Sequence, residues 1–542
     1  MRPHFGAIWE SIADAVPDAP AVVQGERSIS WRDYEARAAR LAAALLEAGL
    51  GAHSKVAMYL YNSPEYCETN FAATKIRGIP INVNYRYLDQ ELWYLLDNAD
   101  AEALVFHSSL GDRVARVRGR LPKLRLLVAV DDGPAADGSR GLAGALRYDA
   151  LQASLAPAER IAPQGDELYM FYTGGTTGMP KGVIYPLDDF TEFFFKTYPQ
   201  MVGLARLPEP EALPGMARGL RAAGRATVAM SAPPLMHGTG CWLGLMAPHM
   251  LGGTAALLSK RHLDPIEVWD AVERLRIQLL VVVGDAFARP LLRALDESPG
   301  RWDASCLGLM VSSGAMFSLE VKQGLIRHLP GLAIADVLGS TEGGMGQSLV
   351  RAGSCAETAR FRLNPTTKVF TEDGREVEPG SGEIGMVANG GMVPLGYYKD
   401  PEKSARTFRV VNGQRYAFPG DMATVEADGS IALLGRGSNC INSAGEKIFP
   451  EEVEEALKGH AAVEDALVFG VPDERFGQRV VGVASLVPGA RASADEILAD
   501  ARLRLSGYKL PKRLVLVERV PRAPNGKADY PEAKKLFLEA PS

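Results

Sequence analysis

The sequence predicts an α/β protein: a large multi-layer N-terminal domain with parallel-rich sheets, followed by a small C-terminal α+β domain. Three observations carry this expectation. Short apolar, strand-like runs alternate with helix-like stretches, a pattern that yields parallel strands covered by helices. Residues 279–283 are apolar without interruption, as expected of a strand buried on both faces. A flexible Gly435-Arg436-Gly437-Ser438-Asn439 string stands between two strand-like runs, and the ~100 residues beyond it suffice for a small domain.

In chain order, residues 55–60 read as a strand. Ser63 and Pro64 then supply an N-cap and a first-turn proline for a helix running to 78. Residues 79–83 form a second strand, 89–96 a helical stretch, and 168–171 a short apolar strand. Further strands are expected at 227–230, 255–258 and 279–283. Residues 131–141, 207–224 and 372–382 carry the Gly, Pro, Asp and Arg of loops and turns. The string at 435–439 divides the chain into 1–437 and 438–542. A length of 542 residues agrees with several structural units.

Hydrophobic residues make up 47% and charged residues 23%, ordinary for a folded protein. With 59 basic against 65 acidic side chains the net charge is −6, so no nucleic-acid partner is expected. The five cysteines (Cys67, Cys241, Cys306, Cys355 and Cys440) are scattered, with no CxxC pair. Neither a disulfide framework nor a thiolate zinc site is indicated, and a reducing compartment fits. No run approaches the ~20 apolar residues of a membrane span. The N-terminal residues lack a signal-peptide core, and Ala540-Pro541-Ser542 is not a peroxisomal tripeptide. The expected location is cytoplasmic, without an integral membrane segment; oligomeric state, homodimer included, is left open.

The most informative string is Tyr172-Thr173-Gly174-Gly175-Thr176-Thr177-Gly178-Met179-Pro180-Lys181-Gly182. Its glycines let successive backbone N–H groups turn toward one point, forming an anion-binding concavity. Thr173, Thr176 and Thr177 add hydroxyl donors, and Lys181 adds a compact positive charge. That is the chemistry a polyphosphate needs. The Walker spacing is absent, which argues against a P-loop phosphotransferase.

This string resembles the signature of the adenylate-forming superfamily, which includes acyl- and aryl-CoA synthetases, peptide-synthetase adenylation domains and firefly luciferase. Glycine stands at 174, where the family usually has serine. Further segments follow in the family's order, from about residue 21 to 530. Gly339-Ser340-Thr341-Glu342 resembles the segment that holds AMP and Mg²⁺, with Glu342 as metal ligand and Leu338 where the family often has an adenine-stacking aromatic. Asp421 resembles the ribose-binding aspartate, and Arg436 its basic companion. Ser438 falls on the hinge position. The string from Ser443 through Gly445 to Glu454 resembles the CoA-facing loop and helix start. Lys527, in Pro524-Asn525-Gly526-Lys527, resembles the catalytic lysine.

The resemblance implies ATP, Mg²⁺ and coenzyme A as cofactors and co-substrates, and a small carboxylic acid as the other partner. Thr173, Gly174, Gly175, Thr176, Thr177 and Lys181 would cradle the phosphates while the carboxylate attacks the α-phosphorus. A mobile C-terminal domain would then turn about Ser438, withdraw Lys527 and present the Gly445 loop for thioester formation. Residues 231–242 contain no acid to pair an amino-acid ammonium, so amino-acid substrates are disfavoured. His237 matches a pocket histidine near the acyl carboxylate. Met236, Trp242, Gly314, Ala315, Gly339 and Met345, with Cys241, Phe287 and Met316 nearby, lie in segments that would line the acyl site. These soft, apolar side chains suit a hydrocarbon or fused-ring acid. Local strings such as Asn82-Val83-Asn84-Tyr85-Arg86-Tyr87 are similar to a bacterial subgroup acting on fatty or steroid side-chain acids. Two rival readings remain: an acyl-adenylating enzyme serving a carrier protein, and a non-catalytic nucleotide-binding protein.

Overall fold

A computed structural model of the chain describes residues 3–133, 142–175, 178–205, 209–354, 359–443, 446–473, 477–524 and 526–541. Four sheets organise the described residues, one of them made entirely from the C-terminal part. In the largest, Pro20–Gln24, Thr254–Leu257, Val228–Ser231, Leu279–Val282, Leu309–Ser313 and Ala333–Ser340 lie side by side and parallel. Leu279–Val282 is central and buried on both faces, which is why its sequence is uniformly aliphatic. A separate five-stranded sheet, ordered Ile79–Asn82, Lys55–Tyr59, Ala103–His107, Leu126–Val130 and Leu146–Arg147, is parallel throughout.

The expectation of an α/β protein with a larger N-terminal and a smaller C-terminal domain is met. The parallel order is only part of the large sheet, however. Beyond Ala333–Ser340 it continues antiparallel through Gly343–Val350, Arg360–Leu363, Ile431–Arg436 and Asp421–Val425. Residues 372–382 connect the antiparallel strands Thr367–Phe370 and Ile384–Asn389, as their turn composition suggests.

The loop expected over 207–224 is corrected: Leu213–Ala222 is a helix. Pro214 stands in its first turn, where its missing N–H costs nothing. Leu213, Ala217 and Leu220 form the buried stripe, and Arg221 donates to the carbonyls of Pro20 and Gly252. The helix at Pro64–Lys75 does start on a Ser63 cap, whose hydroxyl accepts from the Tyr66 N–H. It is buried all round, so its charges are paired: Lys75 with Glu10 and Glu35, and Glu68 with Arg37.

The C-terminal sheet pairs Ile441–Ser443 with Glu446–Ile448 and with Gly477–Leu486, which in turn lies between Val463–Asp473 and Leu514–Leu516. The helices Pro450–Lys458, Ala494–Ala501 and Tyr530–Glu539 cover it. Ile441, Ile448, Val453, Leu457 and Val468 form an apolar cluster belonging to this part alone. Having its own core is what makes it a domain.

Candidate active site

Leu168–Gly175 and Gly178–Pro186 form an antiparallel hairpin in which Thr173 faces Lys181. Gly174 and Gly175 belong to its backbone; Thr176 and Thr177 lie outside the described residues. Gly182 has no room for a side chain, since a β-carbon there would stand 2.7 Å from Met170 Sδ. Asn82, buried at the end of its strand, holds the hairpin at Tyr172, just before Thr173. Its Oδ1 accepts from the Tyr172 N–H at 2.7 Å, and its Nδ2 donates to the carbonyls of Tyr172 and Met236, each at 2.8 Å. One side chain thus ties the phosphate string to the segment carrying His237.

The strand Ala333–Ser340 turns at Thr341 and Glu342 into Gly343–Val350. Gly343 must be glycine: its φ is +143°, and a β-carbon would meet the Asn389 amide. The turn buries Glu342, whose Oε1 accepts from the Tyr397 hydroxyl at 2.7 Å and whose Oε2 accepts from Thr341 Oγ1 at 3.2 Å. Ser340 Oγ accepts from the Glu342 N–H, and the Tyr185 hydroxyl donates to the Thr341 carbonyl at 2.8 Å. Gly339 sits at an irregularity in the ladder beside Leu338. Lys181 Nζ lies 4.8 Å over the Tyr397 ring, so Tyr397 connects the phosphate lysine with the candidate metal carboxylate. Burial, then the adjacent Lys403 ammonium, push Lys181 down to about 8.

Asp421 and Arg436 are cross-strand partners, with Arg436 Nε 3.5 Å from Asp421 Oδ1. Burial raises the Asp421 carboxyl above its ordinary value. Ser438 lies in the short helical turn Gly437–Asn439 that follows. Gly445 is outside the described residues.

Lys527 reaches this region from the last loop of the chain. Bidentate pairing of Arg522 with Asp465, at 2.6 and 2.7 Å, anchors the loop. The Ala523 N–H donates to the Lys527 carbonyl at 2.8 Å. Gly526, with φ +76°, packs on Ala286 and Phe287 of the helix Gly284–Glu297. Lys527 Cε then comes within 3.6 Å of the place a Gly314 β-carbon would occupy. Burial depresses its ammonium, Arg436 adds to this, and Glu342 and Asp421 oppose it.

His237 is pushed down to about 3 by burial first, then by Lys527 and Arg86. It is therefore neutral near pH 7, and among the described residues its Nε2 has no partner. Thr239–Met246 follows as a π-helix pressed onto Ser231, with no space for β-carbons at Gly240 and Gly244. Within it, the Trp242 indole N–H donates to the Tyr169 hydroxyl at 2.8 Å, and the ring packs against Phe171 and Phe190. Cys241 is buried on its other side. Met236 and Phe287 are buried, Ala315 and Met316 half-buried, and Met345 is fully enclosed in a cluster with Leu338 and Val369.

The AMP-binding enzyme family matches residues 9–398, and the AMP-binding enzyme C-terminal domain matches residues 452–527. The chain belongs to the AMP-binding enzyme family. A relative from Mycolicibacterium smegmatis, named a medium/long-chain-fatty-acid–CoA/3-oxocholest-4-en-26-oate–CoA ligase, is 41% identical, covering 100% of this chain and 98% of its own. A 3-oxocholest-4-en-26-oate–CoA ligase from Rhodococcus rhodochrous is 40% identical over 98% of this chain and 96% of its own. Among solved structures, the anthranilate CoA ligase AuaEII in complex with anthranoyl-AMP superposes with a TM-score of 0.83 at 21% identity, covering 98% of this chain and 97% of that one. A benzoate CoA ligase from Burkholderia xenovorans LB400 gives 0.80 at 21% identity, covering 99% of this chain and 100% of that one. These two likenesses concern the fold.

Within this AMP-binding enzyme, Asn82, Tyr397 and Lys403 stand beside the candidate residues, and sequence reasoning missed them. A buried asparagine ending a parallel strand was the one available signal. Tyr397 and Lys403 carry none, because Lys181, which both approach, lies more than 200 positions away in the chain.

Proposed function

We propose that the chain is an AMP-forming acyl-CoA ligase for a lipophilic carboxylic acid, of fatty or steroid side-chain type. The carboxylate attacks the α-phosphorus of ATP, forming the acyl–oxygen–phosphorus linkage of an acyl-adenylate and releasing pyrophosphate. The CoA thiol then displaces AMP. One observation carries the reading: Lys527, from the C-terminal domain, lies beside Gly314 within the field of Glu342, Asp421 and Arg436 of the N-terminal domain. An ammonium so placed can neutralise the charge that develops as carboxylate and phosphate meet.

Thr173, Gly174, Gly175, Thr176, Thr177 and Lys181 hold the phosphates in this reading; Gly339 to Glu342, with Asp421 and Arg436, hold the nucleotide. Glu342 offers hard oxygens for Mg²⁺. Among the described residues no cluster of three candidate ligands surrounds it, so the ion would share its shell with phosphate oxygens. When bound, Mg²⁺ offsets phosphate charge. Neutral His237 can donate a ring N–H to the acid's carboxylate without adding charge. Met236, Trp242 and Ala315 belong to the acyl side, while Met345 is enclosed in its own cluster; the names of the relatives support an apolar acid there. The domains divide at 437/438, with Ser438 as hinge and the Gly445 loop serving CoA. Scattered cysteines without a CxxC pair support a cytoplasmic location; among the described residues no helix is long and apolar enough to cross a membrane.

Pyrophosphate exchange into ATP across fatty, aromatic and steroid acids, followed by CoA-dependent AMP release, tests the proposal. Exchange that never exceeds background would overturn it. Exchange without CoA-dependent AMP release would move the acceptor from CoA to another thiol.

A further inference from the structure

Lys181 does not stand alone. The segment 394–398 is laid along the phosphate hairpin: the Tyr398 N–H donates to the Gly182 carbonyl and the Leu395 N–H to the Ile184 carbonyl, both at 2.8 Å. Gly396–Tyr397 completes a three-stranded sheet with Gly178–Pro186. The helix Pro401–Thr407 starts three residues later, and Ser404 clips it down by accepting the Tyr397 N–H at 2.8 Å. Asp400 caps it by accepting the Lys403 N–H at 3.0 Å.

This geometry lays the helix of half-buried Lys403 on the hairpin of Lys181, close enough for the Lys403 ammonium to depress that of Lys181. Among the described residues neither forms an ion pair; Glu342, one oxygen of which accepts from Tyr397, and Asp400 oppose the depression of Lys181 without pairing it. Two ammonium groups held together away from bulk water repel each other. Such an arrangement is unfavourable alone and favourable once a polyanion sits between them.

We propose that Lys403 is a second cationic ligand for the β- and γ-phosphates of ATP, and for the departing pyrophosphate, acting beside Lys181. The inference rests on the acyl-activating reading for its choice of ligand. It goes beyond that reading by assigning a phosphate contact to the helix after Tyr397, outside the glycine-threonine string.

Calorimetric titration with pyrophosphate and, separately, with AMP tests it on the full chain. Lys403→Met should weaken pyrophosphate binding about tenfold, as for a lost charge-assisted hydrogen bond, and leave AMP affinity unchanged. Lys403→Arg should keep most of the affinity. A purely structural lysine would instead weaken both ligands together, and that result overturns the proposal, as does unchanged pyrophosphate binding. Should Lys403→Met fail to fold, amine acylation of the wild-type chain read by mass spectrometry decides the matter. Saturating pyrophosphate should protect Lys403 and AMP should not; an equally reactive Lys403 defeats the idea. Failure of every acid to support exchange, with this protection intact, would count against the ligase reading and not against the phosphate site.

Discussion

Lys527 Cε lies 3.6 Å from where a β-carbon of Gly314 would be, although the two residues belong to different domains. The C-terminal domain is therefore held in the orientation that delivers the lysine. Lys527→Ala should lower acid-dependent pyrophosphate exchange about 10²–10³-fold, the range for losing one transition-state charge contact. Thioester formation from a supplied acyl-adenylate should be unaffected. Equal loss in both half-reactions would remove Lys527 from the first step.

ATP binding should weaken above pH 8, because Lys181 is pushed down to about 8 by burial and by Lys403. Phosphate raises the lysine again, so below pH 8 it is protonated in both free and bound states and affinity is flat. Above that point binding must take up a proton, and Kd should rise by up to about tenfold per pH unit. For the fold the sign is opposite. The unfolded lysine titrates near 10.5, so between the two values the unfolded chain holds more protons and this group's penalty is relieved as pH rises. Calorimetry at pH 9 in buffers of differing ionisation enthalpy measures the uptake. No uptake, or uptake that persists in Lys181→Met, would refute the assignment.

Asp421 should matter for the nucleoside and not for the phosphate tail. Its carboxylate is fixed by its strand opposite Arg436. If it accepts both ribose hydroxyls, Asp421→Ala removes two charge-assisted hydrogen bonds and should weaken AMP and ATP about 100-fold. Pyrophosphate affinity should stay at the wild-type value, the mirror image of Lys403→Met. Equal weakening of AMP and pyrophosphate would place Asp421 in a structural role.

What the sequence discloses follows from how local each signal is. The glycine-threonine string ending in Lys181 is legible because its composition is that of an anion site, whereas Lys527 is legible only through the resemblance of residues 524–527 to a family motif. The strand Leu279–Val282 is legible because burial on both faces leaves no polar position. The helix Leu213–Ala222 is hidden because Pro214, Gly215 and Gly219 look like loop residues and outweigh a three-residue apolar stripe. The antiparallel half of the large sheet is hidden because its order departs from sequence order, Arg360–Leu363 pairing with Ile431–Arg436 some 70 positions on. Tyr397 and Lys403 enter the site only through packing of a distant segment on the hairpin. The route of Lys527 into the pocket likewise depends on contacts between domains, Gly526 against Phe287 among them.

Arg293 and Glu464 offer a way to bias the domain orientation from outside the site. Arg293 Nη2 lies 2.6 Å from Glu464 Oε1, joining the helix Gly284–Glu297 to the strand Val463–Asp473, with side chains 32% and 29% exposed. Half-solvated pairs of this kind contribute about 0.2–1 kcal/mol. The contact exists with Lys527 in the pocket, and rotation of the C-terminal domain would break it. Arg293→Glu should therefore slow pyrophosphate exchange about two- to fivefold and leave thioester formation from supplied acyl-adenylate undiminished. Glu464→Arg should do the same, and the double reversal should restore exchange by re-forming the pair with its charges swapped. Raising ionic strength should shrink all three differences. A double reversal no faster than either single variant would mean that the pair does not set the balance between the two orientations.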